Sequence, residues 1–204
     1  MITLIIIGAC VLFSLIAFNN TTIFEKYLFS AYDVSRHKQY YRIITHAFLH
    51  ADYMHLAFNM YALYIFGRAL EEVFSMPELF GDRGPFLYAA LYLGGIIFSA
   101  LPDLALHKNN SYYRSVGASG AVNSVIFSMI LIAPNLQLRF FLLPAMPAWV
   151  FGALYLAYSW YMSKRGRDNI GHNAHFFGAI FGFLFTIVLK PVLALEFIHK
   201  VTGH

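Results

Sequence analysis

Six stretches of this chain are apolar over enough residues to cross a lipid bilayer, and they narrow the fold more than any single motif. They fall at about 2–18, 53–71, 85–101, 117–133, 140–162 and 174–195. A bilayer core asks for about 20 mostly apolar residues per helix, within a range of about 17–25. In hydrocarbon each backbone N–H and C=O must find its partner within the protein, which favours helices. The sequence therefore predicts an all-α membrane protein: six transmembrane helices in one domain over residues 1–204, with a long amphipathic first loop.

Composition agrees. Only 12% of residues are Asp, Glu, Lys or Arg, where a soluble domain carries about twice that share. Aromatics reach 18%, which suits lipid-facing and interfacial positions. The net charge of +4 comes from scattered Lys and Arg without a block, so nothing points to nucleic acid. A lone cysteine, Cys10, rules out an internal disulfide. The first stretch, MITLIIIGACVLFSLIAF, lacks a basic leading segment and reads as a retained helix, not a removed signal.

The connection 19–52 is rich in Tyr and Phe, and short helices lying in the membrane interface are expected there. Pro144 and Pro147 are expected to kink or loosen the fifth span. Charge and orientation pull apart. Lys26, Arg36, Lys38, Arg42, Lys108, Arg114, Lys164, Arg165 and Arg167 lie in the odd-numbered loops, which the positive-inside rule alone assigns to the cytoplasm.

Polar residues inside apolar spans are functional candidates by default. HAFLHADYMHLAFN supplies His46, His50, His55 and Asn59; the fourth span supplies Ser119, Asn123 and Ser124; GHNAHFFG supplies His172, Asn173 and His175. Spans two, four and six cross in the same direction. His55, Asn59, Ser119 and His175 all lie near the starts of these spans, so topology brings them to similar depth on one side. Gly120, Ser124 and Ser128 form a small-residue stripe on span four, and Ala174, Gly178 and Gly182 form one on span six. Such stripes let helix backbones approach closely. If they face each other, Ser119 and His175 come within hydrogen-bonding reach. A neutral imidazole beside a serine hydroxyl is the minimal equipment for nucleophilic attack on a carbonyl. Asn59 and His55, four residues apart on one helix face, have the chemistry to stabilise an oxyanion. No carboxylate lies deep in spans four or six, which favours a dyad, with Asp168 in the preceding loop as the acidic alternative. The soluble-hydrolase pattern G-x-S-x-G fails, because Ala121 stands where its last glycine belongs and no strand precedes Ser119.

Taken together, these motifs resemble those of the rhomboid intramembrane serine proteases over about residues 40–190. GASG is similar to the family's G-x-S-G, beginning at Gly117, with Ser119 as nucleophile; AHFFGAIFG is similar to its A-H-x-x-G-x-x-x-G, with His175 as general base. The histidine-rich entry to the second span makes His55 and Asn59 the oxyanion-stabilising pair by resemblance, joined by the Ser119 N–H. His46 and His50 resemble the family's additional histidines near the loop, and Arg42 the arginine bracing that loop. Glu71 in GRALEEVFS resembles the glutamate of G-x-x-x-E-x-x-x-G, although Ser75 replaces the last glycine. Some members carry an aromatic residue where this chain has Asn123, for which a hydrogen bond to His175 or a catalytic water is the expectation.

The resemblance implies a six-helix bundle that cleaves transmembrane protein substrates within the lipid bilayer, without a metal or cofactor. It implies a bacterial cytoplasmic (inner) membrane, a cytoplasmic N-terminus, and the fifth helix as a lateral gate. Two other readings stand beside it. A non-proteolytic relative would bind client helices, but such relatives characteristically lack the serine or the histidine, and both are present. A metal site on His46, His50, His55, His172 and His175 would lack a carboxylate partner and leave Ser119 without a role.

Overall fold

The computed structural model describes residues 1–139, 144–165 and 171–203. The described residues are mostly helical. In chain order the helices are α1 (Ile2–Phe18), α2 (Thr21–Tyr27), α3 (Ala31–His37), α4 (Arg42–Thr45), α5 (Tyr53–Ala62), α6 (Arg68–Phe74), α7 (Gly84–His107), α8 (Ser119–Ile132), α9 (Ala148–Arg165), α10 (His172–Leu189) and α11 (Val192–Thr202). A two-stranded antiparallel ribbon, β1 (Gln137–Leu138) and β2 (Met146–Pro147), precedes α9.

By length and composition, two helical stretches among the described residues can cross a bilayer: Gly81–His107 and His172–Leu189. Ile2–Phe18 and Ser119–Ile132 are apolar but shorter. The predicted second span is helical from Tyr53 to Phe74, with a π-helical segment at Leu63–Gly67 joining α5 to α6.

Three of the boundaries that differ from the sequence reading lie at proline. The third span was expected to end at 101, yet α7 runs through Pro102 to His107; a helix interior tolerates proline where surrounding groups satisfy the freed carbonyl. The last span breaks after Leu189, and Pro191 precedes the separate helix α11. Pro144 and Pro147 do not kink the fifth helix. They lie ahead of it, and α9 starts at Ala148, where a preceding proline interrupts no helical hydrogen bond. The opening residues of that predicted span, 140–143, lie outside the described residues.

The centre of the molecule is the contact of α8 with α10. A Cβ placed on Gly178 would collide with the Gly120 carbonyl, and one on Gly182 with the Ser124 carbonyl. The two small-residue stripes do face each other, and backbone meets backbone. Hydrogen bonds fasten the contact: Ser124 Oγ donates to Gly178 O at 2.8 Å, and the Ser128 and Thr186 hydroxyls pair at 2.7 Å. α7 closes the third side, where the Ser99 side chain occupies the space a Cβ on Gly120 would need.

At the far end, Glu71 caps α1. Its carboxylate accepts from the N–H groups of Ile2 (2.6 Å) and Thr3 (3.1 Å) and from the Thr3 hydroxyl (2.7 Å). The first N–H groups of a helix lack intrahelical acceptors, so this contact ties α1 to the end of α6. Ser75 donates its hydroxyl to the Glu71 carbonyl at 2.8 Å, finishing the helix where a glycine was the alternative.

The first loop contains α2, α3 and α4, and buried Arg42 holds them together. Its guanidinium donates to the carbonyls of Glu25 (2.8 Å) and Leu28 (2.7 Å) and to the Gln39 side chain (2.6 Å). His46 Nδ1 donates to the Arg42 carbonyl at 3.0 Å, and the His50 ring meets Ser14 of α1 at 2.9 Å. Burial pushes the His46 pKa down to about 4; burial and the neighbouring His55 push His50 down to about 3.

Two measurements follow from this packing. Gly182→Ala should lower thermal stability in detergent by about 1–3 kcal/mol, the usual cost of overpacking. Gly8→Ala should be near neutral, because nothing lies within 4 Å of its would-be Cβ. Both loop histidines are neutral in the fold and have the ordinary value of 6.5 when unfolded. The unfolded state therefore binds more protons as pH falls below 6.5, and the loop's stability is lost progressively down to about 4 through His46 and about 3 through His50. Hydrogen exchange over residues 42–50 should accelerate across that window and be unchanged above it, once corrected for intrinsic exchange.

Candidate active site

α8 begins at Ser119, and the turn before it is shaped by Gly117. Gly117 has φ +127°, a conformation that side chains rarely adopt, and a Cβ there would lie 2.8 Å from His55 Cε1. Its N–H donates to the His46 carbonyl at 3.0 Å. Two residues earlier, Ser115 pairs with Phe29 of the first loop through reciprocal backbone bonds of 3.1 and 2.9 Å. The loop braced by Arg42 thus holds the turn that presents Ser119.

His175 lies in the first turn of α10. Its Nε2 is 2.8 Å from Ser119 Oγ. Both side chains are partly exposed and line an open cavity of about 1200 Å³, as do His55, Asn59 and Tyr155. For the serine hydroxyl to donate, His175 must be neutral with its proton on Nδ1, a tautomer assigned from the geometry. The first N–H groups of α8 have no intrahelical acceptor and sit at the positive end of the helix dipole, beside the Ser119 hydroxyl.

His55 stands across Gly117 from Ser119. The Ala51 N–H donates to His55 Nδ1 at 3.3 Å, so in the neutral ring the other nitrogen, Nε2, carries the proton. That Nε2 would be 2.9 Å from a Cβ on Gly117, a point itself 3.8 Å from Ser119 Oγ. Asn59 uses one amide hydrogen on the His55 carbonyl at 2.9 Å and has a second to give. The structure therefore brings Ser119, His175, His55, Asn59 and Gly117 to one cavity. Arg42 supports it from the loop, and Glu71 lies at the opposite end of the bundle.

Asn123 donates its amide to the Ser119 carbonyl at 2.8 Å and lies beside the Tyr155 hydroxyl. The other histidines are dispersed: His46 and His50 are fastened in the loop, and His172 meets the edges of Tyr158 and His175. Among the described residues no group of three or more His, Cys, Asp or Glu is placed to hold a metal ion. Asp168, the acidic alternative, lies outside the described residues.

Two residues of the cavity escaped the sequence reading. Asp103, buried near the end of α7, accepts from the Tyr113 hydroxyl at 2.7 Å and from the Asn173 amide at 2.9 Å. It ties the start of α10, two residues before His175, to α7 and to the loop ahead of Ser119. The visible signal was an acidic residue directly after Pro102. Tyr155 of α9 stacks on His175, with ring centroids 6.4 Å apart and planes inclined by 25°. Nothing local in AWVFGALYLAYSW singles it out.

Known proteins are similar to this chain over about two thirds to three quarters of its length. The family model for the Rhomboid domain matches residues 37–192. RHOMBOID-like protein 12, mitochondrial, of Arabidopsis thaliana is 31% identical over 150 residues, which is 67% of this chain and 43% of that protein. Rhomboid-like protein 11, chloroplastic, of the same plant is 27% identical over 74% of this chain and 53% of its own length. Rhomboid protein 1, mitochondrial, of Saccharomyces cerevisiae is 29% identical over 70% and 40% respectively. The chain spans about half the length of these relatives. Their names give no support to the expected bacterial inner membrane. With the match extending from the first loop to the end of α10, this chain belongs to the rhomboid family.

Proposed function

We propose that this rhomboid is an intramembrane serine endopeptidase that hydrolyses peptide bonds in or near the transmembrane segments of other membrane proteins. Rhomboids are integral to the membrane, and in this reading the chain spans it six times, with α5 and α6 together forming the second span. The cavity opens on the side of the odd-numbered loops. The observation that carries the reading is the 2.8 Å approach of Ser119 Oγ to His175 Nε2 at the mouths of two closely packed helices.

The chemistry follows from these positions. Ser119 Oγ attacks the carbonyl carbon of the scissile bond as its proton passes to His175 Nε2, forming the tetrahedral intermediate. The oxyanion takes hydrogen bonds from the Ser119 N–H, His55 Nε2–H and the second amide hydrogen of Asn59. The imidazolium gives its proton to the leaving amine, and the C–N bond breaks. Water, deprotonated by the same imidazole, then attacks the acyl-enzyme and releases Ser119. The dyad works without a carboxylate; Asp103, through Asn173, fixes the helix end that carries His175.

The direct test is cleavage of a reporter transmembrane substrate by reconstituted protein. Ser119→Ala and His175→Ala should each abolish cleavage, while a chelator should leave it unchanged. Chelator-sensitive cleavage that survives Ser119→Ala would overturn the reading. His55→Ala and Asn59→Ala should each lower kcat, by as much as about 10²–10³-fold for a dominant oxyanion donor. Unchanged kcat in both would remove them from that role.

A further inference from the structure

We propose that Tyr155 of α9 is a positioning residue for the dyad: its ring backs the His175 imidazole and keeps Nε2 aimed at Ser119. The inference rests on the dyad reading and extends it to a helix that supplies neither member of the pair.

An imidazole pinned at one nitrogen can still swing about its side-chain bonds. Holding it takes a surface against a ring face. Tyr155 supplies one, with its ring 6.4 Å from His175 between centroids and inclined by 25°. The edge of His172 meets His175 from its own helix at 6.1 Å and 77°, so the imidazole is met from two directions. Tyr155 is itself held. Its ring lies against Phe151 one turn earlier (5.8 Å, 29°) and Phe127 of α8 (6.0 Å), and its hydroxyl lies beside Asn123. Asn123 in turn donates to the carbonyl of Ser119. A chain of contacts therefore runs from the backbone of one dyad member, through Asn123 and Tyr155, to the ring of the other.

This arrangement makes the dyad depend on where α9 sits. α8 and α10 are locked by backbone contact at Gly178 and Gly182, whereas at Gly152 of α9 the nearest atoms across the contact are side-chain atoms of Ile130 and Phe127 on α8. Displacing α9 would remove the backing from His175 while leaving the Ser119 helix in place. Loss of backing should lower the fraction of time Nε2 accepts the Ser119 proton, which reduces kcat. It should leave the affinity for substrate little changed.

The test measures kcat and KM for reporter cleavage by reconstituted wild type, Tyr155→Phe and Tyr155→Leu, with thermal stability recorded for each. Tyr155→Phe keeps the ring and should stay within about twofold of wild type in kcat, while Tyr155→Leu should lose about tenfold or more, toward the ~10²–10⁴-fold that general-base assistance is worth. KM should move little in either. If Tyr155→Leu does not fold, Tyr155→Met supplies the ring deletion with a more adaptable side chain. A ring deletion with wild-type kcat overturns the inference, as does equal loss in Tyr155→Phe and Tyr155→Leu, or a change confined to KM. These outcomes are read only against wild-type cleavage that Ser119→Ala abolishes; without that cleavage it is the dyad reading that fails.

Discussion

The backbone contact between α8 and α10 is the constraint on which the rest of the structure depends. Gly178 rests on the Gly120 carbonyl and Gly182 on the Ser124 carbonyl, with no room for a side chain at either. Apolar side chains gain nothing by leaving lipid for each other, so such contacts draw on dispersion, on hydrogen bonds and on close fit. Ser124 and Ser128 supply the hydrogen bonds across the seam. This contact fixes the register of two helices whose first turns carry Ser119 and His175. Sliding either helix by one residue would separate the pair by more than a hydrogen bond tolerates.

The pairing of Ser119 with His175 was legible in the sequence because it needs little beyond direction and spacing. Alternate spans run the same way, and two stripes of small residues mark the faces that meet. Gly117 was legible as part of a motif, but its reason is visible only in the structure, in the positive φ and the ring of His55 against it. Proline was the main source of error. The third span was expected to end at 101, just before Pro102, yet α7 continues and delivers Asp103 to the cavity wall. Pro144 and Pro147 read as an internal kink, yet they belong to the approach to α9. Sequence shows that a proline lacks its N–H; it does not show whether neighbouring groups cover the carbonyl left over.

Tyr155 marks a different limit. Its helix is tyrosine-rich, and which tyrosine meets His175 depends on the rotation and height of α9 against α8 and α10. Those are set by contacts such as Gly152 on Ile130 and Phe127, far apart in sequence. The first loop was legible in outline, as short amphipathic helices. The role of Arg42 in tying them, and the reach of that loop to the Ser119 turn through His46 and Phe29, come from carbonyls that no pattern of side chains reveals. Loop, turn and dyad thus form one mechanical unit, braced on one side by Arg42 and on the other by Asp103.

The central claim is that Ser119 is a nucleophile because His175 takes its proton. Mass-spectrometric mapping of the adduct formed by a fluorophosphonate tests this most directly, since that reagent reports an activated serine without any assumption about substrate. The account predicts a single adduct on Ser119 in the wild-type protein and its loss in His175→Ala. An adduct on another residue, or equal labelling of Ser119 when His175 is absent, would contradict it.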